Sequence, residues 1–328
     1  MLEYVLIATI KAVIVLIVLL LIVAYLTLME RKVIAHLQVR VGPTRVGPWG
    51  MFQPFADGIK LLLKEEIIPA KADKFLFVLA PAVTMAAAVA TIAVIPFGDE
   101  IELFGRRIPL QIADVNIGLL YVFAISSLGV YGIILGAWAS NSKYPLLGAL
   151  RSAAQMVSYE LCLVFSVIGV LMIAGSMSLA DIVDGQSRVW FVFLQPVGFI
   201  VFLIASFAEV NRLPFDLPEA ENELVGGFHT EYSSMKWAMF FLGEYASMAT
   251  VGAMVTTLYL GGWRGPLLPP VVWFLLKMMA FPLLFIWVRG TLPRFRYDQL
   301  MKFGWKVLLP VSIANILVTG LVLAFIDR

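Results

Sequence analysis

The chain has 328 residues, 61% of them hydrophobic and 14% charged, with a formal net charge of +2 and a mean hydropathy of +0.93. That composition excludes a soluble domain and a disordered chain, and it places the protein among polytopic membrane proteins. Its basic residues are spread along membrane-proximal loops rather than gathered on one face, so the charge gives no sign of a nucleic-acid partner.

Apolar runs near the ~20 residues that a bilayer requires lie at about 2–28, 75–97, 115–139, 157–175, 189–209, 235–261, 271–289 and 305–326. The predicted fold class is therefore an all-α membrane protein, one polytopic domain over 1–328 with eight transmembrane helices, an amphipathic interface helix and structured cytoplasmic loops. The first run is too long for a cleaved signal peptide and continues directly into Met29-Glu30-Arg31-Lys32, so it is expected to remain as a helix. Loops 29–74, 140–156, 210–234 and 289–304 hold fifteen Lys and Arg residues, against four in loops 98–114, 176–188 and 262–270. By the positive-inside rule the first set faces the cytoplasm and both termini face outward.

The first inward loop carries the turn pairs Gly42-Pro43 and Gly47-Pro48. After them Phe52, Phe55, Ile59, Leu62 and Leu63 recur at helical spacing while Asp57, Lys60 and Lys64 lie on other faces, which predicts a helix lying in the interface plane. Further along, Glu160, Glu209, Glu244 and Lys277 interrupt or end apolar spans. Charges at membrane depth are costly, so they imply either ion pairing between helices, for instance Lys277 with a glutamate, or a relay in a wet interior. Lys11 is expected to snorkel, and Pro282 to kink the seventh span beside a cavity.

The loop Asn211–Gly227 packs Asp216, Glu219, Glu221 and Glu223 into eight positions between two spans. Like charges this close resist joint ionisation, so the cluster is either a proton-handling, charge-sensitive element or simply a solvated acidic loop. The last inward loop sets Arg289, Arg294 and Arg296 beside Asp298, as partners for carboxylates or as topology anchors. A single cysteine, Cys162, excludes intrachain disulfides, Cys-ligated zinc and iron–sulfur clusters. Two histidines, His36 and His229, leave little for a haem or metal site. No dinucleotide-binding glycine fingerprint follows a strand.

Glu30-Arg31-Lys32, Gly42-Pro43 to Gly47-Pro48, Gln53-Pro-Phe-Ala-Asp57 with Lys60 and Lys64-Glu65, Ala139-Ser-Asn-Ser142, Gly148-Ala-Leu-Arg151, Ser158-Tyr-Glu160, Ala208 to Asp216 and on through Gly227, and Pro293 to Gln299 together resemble the H-type subunit (subunit 1 in mitochondria) of the proton-pumping NADH:quinone oxidoreductase, respiratory complex I. The resemblance covers essentially the whole chain. One departure is Thr44, where that family commonly has asparagine; a turn accepts either.

The resemblance implies a membrane subunit of a translocating enzyme that carries no redox centre itself: no flavin, iron–sulfur cluster or metal, with ubiquinone or menaquinone as substrate. It assigns Arg31, Asp57, Arg212, Phe215 and Phe228 to the quinone tunnel or its mouth, and Glu219, Glu221, Glu223 and Glu231 to an acidic loop that senses quinone chemistry. Glu160, Glu209 and Glu244 would begin a chain of buried carboxylates, with Arg151, Arg294 and Arg296 as counter-charges. The implied partners are peripheral-arm iron–sulfur and quinone-site subunits, small membrane subunits, antiporter-like subunits and membrane lipid, in a bacterial plasma membrane with both termini periplasmic. Two other readings are a membrane subunit of an energy-converting hydrogenase, where the acidic loop usually lacks the full Pro-Phe-Asp-Leu-Pro-Glu-Ala-Glu pattern found here, and a free-standing secondary ion transporter, whose two related halves with interrupted helices are not visible.

Overall fold

The computed structural model describes residues 2–103, 106–217 and 227–326. It opens with α1 (Leu2–Leu37), whose 36 residues run past the predicted end at 28, so Glu30, Arg31 and Lys32 are helical. A tight turn at Pro48–Gly50 follows. A Cβ on Gly50 would lie 2.3 Å from the Pro43 carbonyl oxygen, and its φ is +75°, so the turn requires glycine there. The predicted interface helix is α2 (Gln53–Leu63), started by Pro54 in its first turn. Phe55, Ile59, Leu62 and Leu63 are exposed on it, an apolar face that the chain itself does not cover.

Next comes α3 (Lys74–Ala90), capped by Asp73, whose Oδ1 accepts from the Phe75 and Leu76 amides at 3.1 and 3.2 Å. A short hairpin of β1 (Glu100–Leu103) and β2 (Arg106–Pro109) sits in the following loop, an element that the apolar pattern does not predict. Then come α4 (Gly118–Ala139) and α5 (Lys143–Ala174), the latter starting at 143 rather than 157. The predicted span 189–209 is divided. After α6 (Leu179–Gly185), α7 (Phe191–Leu194) stops at Gln195 and α8 (Pro196–Glu209) restarts at the proline.

The chain ends with α9 (Ser234–Tyr259), α10 (Pro270–Thr291), α11 (Tyr297–Phe303), a π turn at Gly304–Leu308, and α12 (Leu309–Ile326). Helix α10 runs through Pro282 without interruption. Among the described residues seven helices are long and apolar enough to cross a membrane, and α8 is the shorter eighth element.

Helix α9 is central: 67% of its apolar stretch is buried, against 6% for α1, whose side chains mostly face outward. It packs against α3 and α10, while α5 packs against α8 and α12. Loops segregate to two ends, as the charge distribution predicted. At one end the Ile67 amide donates to Ser233 Oγ (3.0 Å), Ser234 Oγ to Leu61 O (2.9 Å), the Asp73 amide to Ala139 O (3.1 Å) and the Phe295 amide to Pro214 O (3.1 Å). At the other, Lys11 Nζ donates to Pro109 O and Gln111 O at 2.8 and 3.1 Å. There Lys277 Nζ donates to the carbonyls of Leu260, Gly262 and Arg264 at 2.7, 3.1 and 2.6 Å, 4.6 Å from the Trp190 ring. The expected Lys277–glutamate pair is therefore replaced by a lysine that caps backbone carbonyls.

Candidate functional site

The turn after α8 places the site's central cation. Gln155 of α5, fully buried, donates through Nε2 to Ala208 O (2.7 Å), Asn211 Oδ1 (3.2 Å) and Phe215 O (2.6 Å), which fixes the course of residues 208–215. That course turns Arg212 into the protein, where it is only 4% exposed. Its Nη1 donates to both oxygens of Glu30 at 2.9 and 3.0 Å, and its Nε pairs with Glu244. The guanidinium carbon lies 4.4 Å from the Tyr245 ring centre, and the Tyr245 hydroxyl donates to Glu30 Oε2 at 2.6 Å. Arg289 of α10 pairs with Glu30 Oε1.

Two carboxylates and two guanidiniums thus meet with no net charge, the condition under which ions are tolerated away from water. Burial opposes the charge on Arg212, but Glu244 and Glu30 outweigh it and raise its pKa above the ordinary arginine value.

Beside this group lies a cavity of about 230 Å³ bordered by α3, α4, α8 and α9. Glu209, Arg212, Asp216, His229, Glu244 and Arg289 line it, together with Phe228. Along α9 the lining runs from Trp237 to Met254, about 25 Å at 1.5 Å per residue. Hydroxyls of Thr84, Thr91, Ser126, Ser247 and Thr250 supply polar points on the part away from the loops. Successive serines of α4 serve two carboxylates: Ser126 bonds Glu209, and Ser127 donates to Glu160. Glu160 and Glu209 stand near enough to interact electrostatically. At the loop end, burial lowers the His229 imidazole to about 4, against the pull of Asp216, so the ring is neutral near pH 7. Asp216 in turn accepts from Arg294 Nη2 at 3.1 Å.

The residues singled out from the sequence fall into separate places. Arg212, Phe228, Glu209 and Glu244 come together at the cavity, with Glu160 adjoining. Arg31 and Asp57 form a 2.6 Å pair at the junction of α1 and α2, with side chains 48% and 22% exposed. Phe215 packs in the core, 5.5 Å from Phe295 and 5.7 Å from Tyr159 between ring centres, instead of lining the cavity. Arg296 is exposed and pairs with Asp298 at 3.2 Å, Arg151 is half-buried on α5, and Glu231 is half-buried just before α9. Glu219, Glu221 and Glu223 lie outside the described residues.

Sequence reasoning passes over Glu30 and Tyr245 as site residues. The available signal is Glu30 itself, an acid one turn from the end of a long apolar run. Among the described residues no group of three or more His, Cys, Asp or Glu could hold a metal ion.

Fold and site together define a polytopic helical membrane protein with an ion-paired, ionisable cavity that opens from its interlocked loop end. The chain belongs to the NADH dehydrogenase family, whose profile matches residues 10–320. It is 58% identical over 303 residues, 92% of each chain, to the NADH-quinone oxidoreductase H-type subunit 2 of Geobacter sulfurreducens. It is also 58% identical over 310 residues, 94% of each chain, to the protein of that name from Syntrophobacter fumaroxidans, and 53% identical over 297 residues, 90% of this chain and 91% of the other, to the NADH-quinone oxidoreductase H-type subunit of Protochlamydia amoebophila.

Proposed function

We propose that the chain is the H-type membrane component of a proton-translocating NADH:quinone oxidoreductase, that it encloses part of the path by which quinone enters, and that it couples quinone reduction to proton movement through Glu209, Glu160 and Glu244. The observation that carries this reading is the cavity, which joins a loop end bearing Arg212, Asp216, His229 and Phe228 to carboxylates and hydroxyls inside the helical bundle. The names of the relatives support it.

Quinone reduction at the loop end creates negative charge and a demand for protons. In a poorly screened interior that charge changes the protonation of nearby carboxylates. Glu209 and Glu160, already coupled to each other and held by adjacent serines, are the first to respond; Glu244 is tied to the same event through Arg212. Arg31 and Asp57 form the mouth beside the interface helix, Phe228 an apolar wall, and Arg294 and Arg151 supply counter-charge.

Electrons and NADH are handled by peripheral-arm partners, and the protons pass to small membrane and antiporter-like subunits in a bacterial plasma membrane. Both termini then face the periplasm, on the side of the Lys11 and Lys277 contacts. The test is Glu209→Gln in the assembled complex reconstituted in vesicles. Pumping driven by NADH:quinone turnover is expected to be suppressed, and wild-type pumping would remove Glu209 from the path.

A further inference from the structure

We propose that Glu30 is a positioning residue for Arg212: from α1 it holds the guanidinium so that Nε pairs with Glu244 while Nη2 stays available to an acceptor oxygen in the cavity, the chemistry of a quinone carbonyl. The proposal rests on the reading of this cavity as part of the quinone path.

Four observations carry it. Glu30 is 4% exposed and takes both of its Arg212 hydrogen bonds on a single nitrogen, Nη1, at 2.9 and 3.0 Å. Arg212 Nη2 is buried and has no hydrogen-bond partner among the described residues, although Arg212 lines the cavity. Glu30 is itself fixed from two further directions, by the Tyr245 hydroxyl at 2.6 Å and by Arg289. The Tyr245 ring lies 4.4 Å from the guanidinium carbon and limits its tilt.

Arginine presents its donors in a rigid planar fork, so pinning Nη1 and Nε on two carboxylates fixes where the remaining nitrogen points. A buried donor left over in this way is costly unless something accepts from it. Glu30 thus acts on the ligand only through Arg212 and contributes no contact of its own.

The experiment is steady-state NADH:quinone reduction by the purified, intact complex with a short-chain quinone, comparing wild type, Glu30→Gln, Arg212→Lys and the double variant. Glu30→Gln keeps the shape but removes the charge that orients the fork. Its KM for quinone is expected to rise by roughly tenfold, the worth of one charge-assisted hydrogen bond, with a much smaller change in kcat.

Because lysine has no fork to orient, Glu30→Gln should cost less in the Arg212→Lys background than in wild type. Equal cost in both backgrounds, or an unchanged KM, overturns the proposal. Tyr245→Phe deletes only the hydroxyl that steadies Glu30, and it should raise KM in the same direction by less. If Glu30→Gln does not assemble, an unchanged KM in Tyr245→Phe overturns the proposal in its place. Failure of the underlying reading looks different: wild-type complex would reduce quinone, yet a photoreactive quinone would not label this chain at all.

Discussion

Gly252 of α9 lies against the Met278 carbonyl of α10. Pro282 has no N–H, so it cannot donate to the oxygen of residue 278, which is left without its intrahelical partner. The bare glycine lets α9 close over that oxygen: a Cβ at position 252 would stand 2.5 Å from Met278 O and 3.3 Å from Pro282 Cδ. The proline thus sits at a tight helix–helix contact, and α10 continues through it.

Gly252→Ala is therefore expected to push α9 and α10 apart and destabilise the bundle by about 1–3 kcal/mol, the range for overpacking a close contact. The thermal midpoint of the detergent-solubilised complex measures it. A midpoint equal to wild type would mean that the helices separate at no cost.

Lys277→Met removes all three donors that satisfy Leu260, Gly262 and Arg264 carbonyls at the end of α9. Buried carbonyls without donors are expensive, so a loss of roughly 2–4 kcal/mol is expected in the same measurement. Coupling between quinone reduction and pumping should survive in whatever complex assembles, because Lys277 stands apart from the carboxylates.

Acid sensitivity is the next expectation. His229 is held at about 4, below its usual 6.5, by burial acting against Asp216. Between these values the unfolded chain binds a proton that the native one refuses, so stability falls as the pH drops below 6.5, by up to about 1.4 kcal/mol per unit. Above that range the slope disappears. His229→Asn removes this contribution, and its thermal midpoint should decline less than that of wild type between pH 7 and pH 5.

Asp57→Asn breaks the pair with Arg31, which is half in solvent and worth less than about 1 kcal/mol. Assembly should be unaffected. On the proposed reading, the KM for quinone and the response to quinone-site inhibitors should both change, because the pair stands at the mouth beside α2. Identical inhibitor titrations would remove Asp57 from the entrance.

Hydropathy locates the membrane spans well wherever lipid or apolar neighbours surround a helix. It fails where the surroundings are protein and polar. Helix α5 begins at 143 because Ser152 and Gln155 are buried against other elements, where they read as loop to a scale calibrated on lipid. Helix α1 continues through Glu30 because Arg212 and Arg289, 182 and 259 residues away in sequence, meet its charge. No local pattern encodes those partners. The break at Gln195 does leave a trace in Pro196, while the polar bonds that stabilise it, from Gln195 Nε2 to Thr319 Oγ1 and from Asn315 Nδ2 to Gln195 Oε1, both 2.8 Å, are long-range.

For the site, the ionisable residues inside apolar spans are legible as costly and therefore purposeful. Their grouping is not. Lys277 resembles a counter-ion by composition and proves to be a backbone cap, whereas Tyr245, beside Glu244 in sequence, reaches Glu30. Spacing along one helix says which residues share a face, but the choice between a cavity wall and a packed core, which separates Phe228 from Phe215, depends on the neighbours.

The break before α8 leaves its 14 residues covering about 21 Å, less than the ~30 Å of a typical hydrocarbon core. Val197 and Ile200 are exposed on it, so the acyl chains beside this helix, or the flanking α7, must make up the difference. Glu209 is its last residue. The carboxylate at the head of the proposed relay is consequently suspended from the thinnest section of the protein, where the depth at which it sits is set partly by the bilayer.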